Sequence, residues 1–181
     1  AVGCGRTGTF FACEQAGIWP DLICLSKGIS GGYLPLSLVL STDAIYETFY
    51  ADDTSRAFLH SHSYTGNPLA CRAALATLDI FEQDDVIVAN RHRAATLDRL
   101  LQARFKEHPR VNHLRQRGMI AAFDVIDAEP DFAQRFFAAA LEAGALLRPI
   151  GNTVYFMPPY VLDEALTTQL VDAAATALNK V

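Results

Sequence analysis

The chain has 181 residues, 51% of them hydrophobic and 19% charged, and carries a net charge of −5. That balance suits a globular protein able to bury a sizeable core. It argues against nucleic-acid binding, which needs concentrated Lys and Arg, and the longest apolar runs, such as residues 34–40, are too short to span a bilayer. Nothing at Ala1 resembles a signal peptide, so the expected compartment is the cytoplasm. Cys4, Cys13, Cys24 and Cys71 form no C-x-x-C pair and read as reduced thiols.

In chain order, Ala1-Val2-Gly3-Cys4-Gly5-Arg6-Thr7-Gly8 opens directly on a glycine-rich turn, which is expected to follow a strand lying outside this chain. Leu22 to Leu25 then read as a buried strand that ends at Ser26-Lys27-Gly28-Ile29-Ser30-Gly31-Gly32. A side chain at the end of a strand in an α/β protein points toward the crevice where ligands bind. A lysine there can form a Schiff base with a carbonyl compound. On these residues alone the plainer reading, a solvated amine closing a strand, is favoured.

Leu34 to Leu40 read as another strand, and Thr42-Asp43 as the cap of a helix over residues 44–50. A long polar loop follows to Asn67, of the length that is functional or disordered in compact domains. Within it, His60-Ser61-His62 lacks a nearby Cys, Asp or Glu to complete a ligand set, so no metal is expected. Asn67-Pro68 is a strong helix start, with Leu69, Ala73, Ala76 and Ile80 as the expected apolar face.

A second long helix is expected from Asp84-Asp85 to Glu107, then strands over residues 111–114 and 119–125 separated by Arg115-Gln116-Arg117-Gly118. Residues 130–143 read as a helix ended by Gly144, residues 146–149 and 153–157 as short strands, and residues 163–180 as a last amphipathic helix. Trp19 and the pair Phe136-Phe137 read as core residues. The organisation expected is an α/β first part, residues 1–88, and an α+β second part, residues 89–181.

Gly3-x-Gly5-Arg6-Thr7-Gly8, Pro20-Asp21 leading to Lys27-Gly28 and Gly31-Gly32, and Thr65-Gly66-Asn67-Pro68 resemble, in order and spacing, the class III aminotransferases of the fold type I pyridoxal-phosphate group. Within that group, residues 60–71 and Arg148-Pro149-x-Gly151-x-x-x-Tyr155-x-Met157-Pro158-Pro159-Tyr160 resemble the branch that makes 7,8-diaminononanoate for biotin from 8-amino-7-oxononanoate. The likeness spans nearly the whole chain. It implies that residues 1–88 are the C-terminal portion of a large pyridoxal-phosphate-binding domain and residues 89–181 a small C-terminal domain.

The same resemblance implies that Lys27 holds pyridoxal phosphate covalently and moves protons. It makes Ser63 stand where the family has a threonine whose hydroxyl binds the cofactor phosphate across a homodimer interface; serine keeps the hydroxyl. Arg148 matches an arginine that pairs with a substrate carboxylate, a task for a planar fork. Tyr155 matches a tyrosine of the substrate pocket, although by pattern alone it is equally a core aromatic with a polar tip. His62 and Ser61 stand where relatives have small residues or proline lining the substrate site.

The implied amino donor is S-adenosylmethionine. The aspartate that keeps the cofactor ring nitrogen protonated lies, by resemblance, before the glycine turn, so these 181 residues alone are expected neither to bind cofactor tightly nor to catalyse. Two other readings stay open: a class III enzyme acting on an ω-amino acid, a diamine or lysine, and a non-catalytic part that only folds or dimerises. Arg6 is read as holding the glycine turn or facing the site.

Overall fold

A computed structural model describes residues 1–181. The chain is of mixed α/β structure and forms two compact units, residues 1–5 with 9–86 and residues 6–8 with 87–181.

In the first unit a short helix α1 (Cys13–Ala16) is ended by Gly17 at φ 65°, a left-handed position that glycine takes without a Cβ penalty. Strand β1 (Leu22–Ser26) pairs antiparallel with β2 (Ser37–Ser41), in register from Leu22 opposite Ser41 to Ser26 opposite Ser37. β1, expected to be buried, is left uncovered within these 181 residues: Leu22 is 54% exposed and Cys24 is exposed as well. A two-stranded hairpin has no further strand beside it, and this one has little packed against its faces. Trp19, expected in the core, is 69% exposed. Helix α2 (Asp43–Phe49) starts at Thr42 without the side-chain cap expected there; the amides of Ile45 and Tyr46 donate to the Thr42 carbonyl.

Helix α3 (Pro68–Gln83) begins as its sequence requires, with Asn67 Oδ1 accepting from the amides of Leu69 and Ala70 and with Pro68 in the first turn. Its buried residues are Ala70 and Ala74, whereas Leu69 and Ile80 are exposed. Close approach explains the difference from the expected face: a Cβ on Gly31 would stand 3.2 Å from Thr77 Oγ1. The stripe Ala70, Ala74, Thr77 therefore faces the glycine turn, where only small side chains fit.

The second unit holds the large core. Helix α4 (Val86–Phe105) is followed by β3 (Val111–Arg117), β4 (Ile120–Val125), α5 (Phe132–Glu142), β5 (Thr153–Phe156) and α6 (Glu164–Lys180). The strands form one antiparallel sheet in the order β3-β4-β5. Alternation along β4 buries Ala121, Phe123 and Val125 and leaves Ile120, Ala122 and Asp124 half-buried. Phe123 packs on Phe105 of α4 at 4.6 Å between ring centres and on Phe156 of β5 at 6.2 Å. Helix α5 contributes Phe132, Phe136, Ala139 and Ala140, and α6 contributes Val171, Ala174, Ala177 and Leu178.

Strand β3 runs through Arg115, Gln116 and Arg117, which the sequence placed in a separator, and the turn falls at Gly118 and Met119. A register shift between Asn112 and Arg115, with His113 at φ 49°, accommodates the extra length as a bulge. Residues 146–149 form no strand; only an isolated bridge between Ile150 and Thr153 precedes β5.

On the half-buried face of the sheet Asp124 ties the three strands together. Arg115 donates to both its carboxylate oxygens at 3.0 Å, Thr153 Oγ1 donates at 2.7 Å, and His113 Nδ1 lies 3.2 Å away. The Arg115 bonds, reinforced by Thr153 and His113, hold the Asp124 carboxyl down from 3.8 to about 2. A depressed folded value means that this group's contribution is complete above the ordinary carboxylate value and disappears as pH falls toward 2. Acid unfolding of the protein and of Asp124→Asn should therefore differ: the variant loses part of the decline in stability between about pH 4 and pH 2, measured by urea titration at each pH.

Candidate active site

Lys27 is the first residue of a 3-10 turn, Lys27–Ser30, at the end of β1, and its φ is 54°. The left-handed conformation costs a residue with a side chain on the order of 1–3 kcal/mol and persists only where the surroundings impose it. Here the residues that follow are fixed. Ile29 and Ser30 are buried, Ser30 Oγ donates to the Leu34 carbonyl at 2.6 Å, and the Gly31 amide donates to the Gly28 carbonyl at 3.1 Å.

Gly28 lies against Cys4, since a Cβ there would stand 3.1 Å from both Cys4 Cβ and Cys4 Sγ. Cys4 itself has φ 52°, and burial pushes its thiol up from 9.0. The turn is thus packed on Cys4 on one side and on α3 at Gly31 on the other. The Lys27 amine is exposed and forms no hydrogen bond or ion pair within the chain.

His62 and Ser63 lie in an exposed turn closed by the Thr65 amide donating to the His62 carbonyl at 3.1 Å. The Ser63 hydroxyl has no partner within the chain. These two residues and Lys27 belong to the first unit, while Arg148 and Tyr155 belong to the second.

Arg148 is exposed between buried Leu147 and half-buried Pro149. Its guanidinium has no hydrogen bond or acidic partner, in contrast to Arg99, Arg104 and Arg115, which pair with Glu164, Asp172 and Asp124. A turn at Ile150–Thr153, closed by the Thr153 amide donating to the Ile150 carbonyl at 3.0 Å with Gly151 at φ 59°, leads into β5. Tyr155 lies on β5 opposite Ala122, on the half-buried face that also carries Thr153 and Asp124.

Arg6 does hold a contact far along the chain: Nη1 donates to the Pro158 carbonyl at 2.6 Å, and the guanidinium lies 4.4 Å from the centre of the Tyr160 ring. Sequence reasoning missed Cys4 as the residue on which the Lys27 turn packs, Asp124 as the tie between the strands of the second unit, and Gly118 as the residue that meets Arg6 and Thr7. A glycine and an acid at strand ends were visible; the close approaches were not. No group of three or more His, Cys, Asp or Glu side chains is placed to hold a metal ion, and no helix is long and apolar enough to cross a membrane.

Residues 1–178 match the family Aminotransferase class-III, and the chain belongs to that family. Among its relatives is the adenosylmethionine-8-amino-7-oxononanoate aminotransferase of Helicobacter pylori, 51% identical over 167 residues that cover 90% of this chain and 38% of that protein. The crystal structure of the adenosylmethionine-8-amino-7-oxononanoate aminotransferase of Methanocaldococcus jannaschii matches with a TM-score of 0.90 at 35% identity, covering 98% of this chain and 44% of the other. A PLP-bound amine transaminase from an uncultivated Pseudomonas species matches with a TM-score of 0.87 at 31% identity, over 98% of this chain and 42% of the other. The chain thus spans about two fifths of the length of the proteins it matches.

The placement of the thiols has a measurable consequence. Cys24 is exposed, whereas Cys4 is buried beside Gly28 with its thiol pushed up. In the 181-residue chain by itself, alkylation by iodoacetamide near pH 8, followed by peptide mass mapping, should modify Cys24 well before Cys4, by about tenfold or more in rate.

Proposed function

We propose that the chain is the C-terminal part of a pyridoxal-phosphate-dependent aminotransferase that converts 8-amino-7-oxononanoate to 7,8-diaminononanoate, with S-adenosylmethionine as amino donor. The observation that carries the reading is Lys27: an unpartnered amine held in a left-handed turn packed on Cys4 and α3. It supports the reading together with the family match and the 51% identity to the Helicobacter pylori enzyme. Residues 1–88 belong to the large cofactor domain and residues 89–181 to the small domain.

Uncovered apolar side chains of the first unit, among them Leu22, Val39, Tyr33 and Phe58, are the surface that the rest of the enzyme and its homodimer partner cover.

The donor set fits the cofactor by its chemistry: an amine for an aldehyde, a hydroxyl for a phosphate, a guanidinium for a substrate carboxylate. Pyridoxal phosphate, when bound, supplies the carbonyl that accepts the amino group and a ring that withdraws electrons from the reacting carbon. Lys27 Nζ would hold it, and the same amine, when free, would be the group that moves a proton between substrate and cofactor carbons. Ser63 Oγ would donate a hydrogen bond to the cofactor phosphate held by the neighbouring copy. Arg148 donates two parallel hydrogen bonds to the acceptor carboxylate. Tyr155 and His62 line the substrate pocket, and His62 with Ser61 tunes the choice of donor.

Borohydride treatment of the full-length protein with cofactor should leave a reduced adduct on Lys27 by mass spectrometry. Lys27→Ala should lose the adduct and about a thousandfold or more in turnover; an adduct retained in that variant removes the assignment. Arg148→Met should raise KM for 8-amino-7-oxononanoate by about 10- to 100-fold, with little change in the donor half-reaction. Half-reactions with S-adenosylmethionine and with lysine distinguish the donors, and failure of 8-amino-7-oxononanoate to accept the amino group rejects the substrate.

A further inference from the structure

We propose that Gly118 is a positioning residue for the segment that follows Tyr155: it leaves the hollow in which residues 6–8 lie, and so seats Arg6 on Pro158 and Tyr160. A Cβ at Gly118 would stand 2.5 Å from the Thr7 carbonyl carbon, 2.6 Å from the Arg6 carbonyl oxygen and 2.7 Å from Thr7 Cα. All three atoms are backbone, so no flexible side chain can move aside.

The turn itself has nowhere to retreat. The Gly118 carbonyl accepts from Gln116 Nε2 at 2.9 Å, and the same amide group donates to the Ala94 carbonyl on α4 at 2.7 Å. One residue on, the Met119 amide donates to the Arg6 carbonyl at 2.8 Å. Any side chain at position 118 therefore displaces residues 6–8 rather than the hairpin.

Those residues form a strap bracketed by Gly5 at φ 81° and Gly8 at φ 101°, positions where the chain bends without side-chain cost. The Gly8 carbonyl accepts from Arg91 Nε at 2.9 Å, which fastens the far end to α4. At the near end the Arg6 guanidinium reaches Pro158 and Tyr160, just past the end of β5. Pro158 is buried, so its carbonyl is a fixed point rather than a mobile one. Lifting the strap removes that hydrogen bond and the stacked ring, and loosens residues 157–160 behind Tyr155. The role rests on the aminotransferase reading only for its kinetic consequence.

The test compares Gly118→Ala with Gly17→Ala in the full-length protein. Gly118 has φ 56° and Gly17 a similar left-handed φ of 65°, but no atom lies within 4 Å of an added Cβ at Gly17, so that variant reports backbone strain without the clash. Under native conditions trypsin should cut the Arg6–Thr7 bond about tenfold faster in Gly118→Ala than in the other two proteins, and amides of residues 155–160 should exchange faster in that variant alone. KM for the acceptor should rise about tenfold with kcat within about threefold.

Equal cleavage in all three proteins, or faster cleavage with unchanged exchange over residues 155–160, overturns the proposal. So does an equal kinetic loss in both glycine variants. If the unaltered protein shows no transamination, the aminotransferase reading fails while cleavage and exchange still decide the role of Gly118. Should Gly118→Ala not fold, Arg91→Gln frees the Gly8 carbonyl and leaves the hollow intact; cleavage at Arg6 and exchange over residues 155–160 should then rise together by about threefold, and no rise overturns the proposal.

Discussion

The buried side of β4 is the constraint on which the second unit depends. Ala121, Phe123 and Val125 point one way and must be covered, and Phe105, Phe156 and the inner faces of α5 and α6 cover them. Since a strand alternates strictly, fixing those three side chains inward fixes Ile120, Ala122 and Asp124 outward. The outward set then has to satisfy a carboxylate, and Arg115, Thr153 and His113 do so from the two flanking strands. The packing of the inner face and the ion pair on the outer face are one decision: a one-residue slip of β4 would bury Asp124 and expose Phe123.

That decision reaches the candidate substrate residues through β5. Thr153 and Tyr155 share a face, so the bond from Thr153 to Asp124 sets the side on which Tyr155 stands. Arg148 precedes the same strand across the turn at Gly151 and remains unpaired while other arginines of the unit are neutralised by acids. An unpaired guanidinium keeps its hydrogen-bonding capacity for a ligand, which is what carboxylate recognition requires. In the first unit the analogous constraint acts on the backbone: Lys27 adopts a left-handed conformation because the glycines after it meet Cys4 and Thr77.

The two units differ in what they bury within these 181 residues. The second buries aromatic and aliphatic side chains at nearly every inward position, whereas the buried residues of the first are Cys4, Gly5, Ile29, Ser30, Ala70 and Ala74. Small residues at close contact stabilise less by area than large ones do, but they allow backbone to approach backbone. The glycine-rich turn around Lys27 is built in that second way, and precise placement of an amine benefits from it.

Much of this was legible in the residues themselves. Asn67-Pro68 and Asp163 start helices through bonds their own side chains make, Gly144 ends one by its φ, and the motifs around Lys27, Thr65–Pro68 and Arg148–Tyr160 pointed to the aminotransferase family. Such signals are local, involving atoms a few residues apart, and survive without knowledge of the fold. Other features were decided only by tertiary structure. β3 continues through Arg115–Arg117 by virtue of a bulge, α3 turns its alanines rather than its leucines inward, and Gly118 receives the backbone of residues more than a hundred positions earlier. Composition shows which side chains prefer burial, but what covers them depends on partners distant in sequence, and a glycine's reason is visible only in the atoms that occupy the space its side chain would have filled.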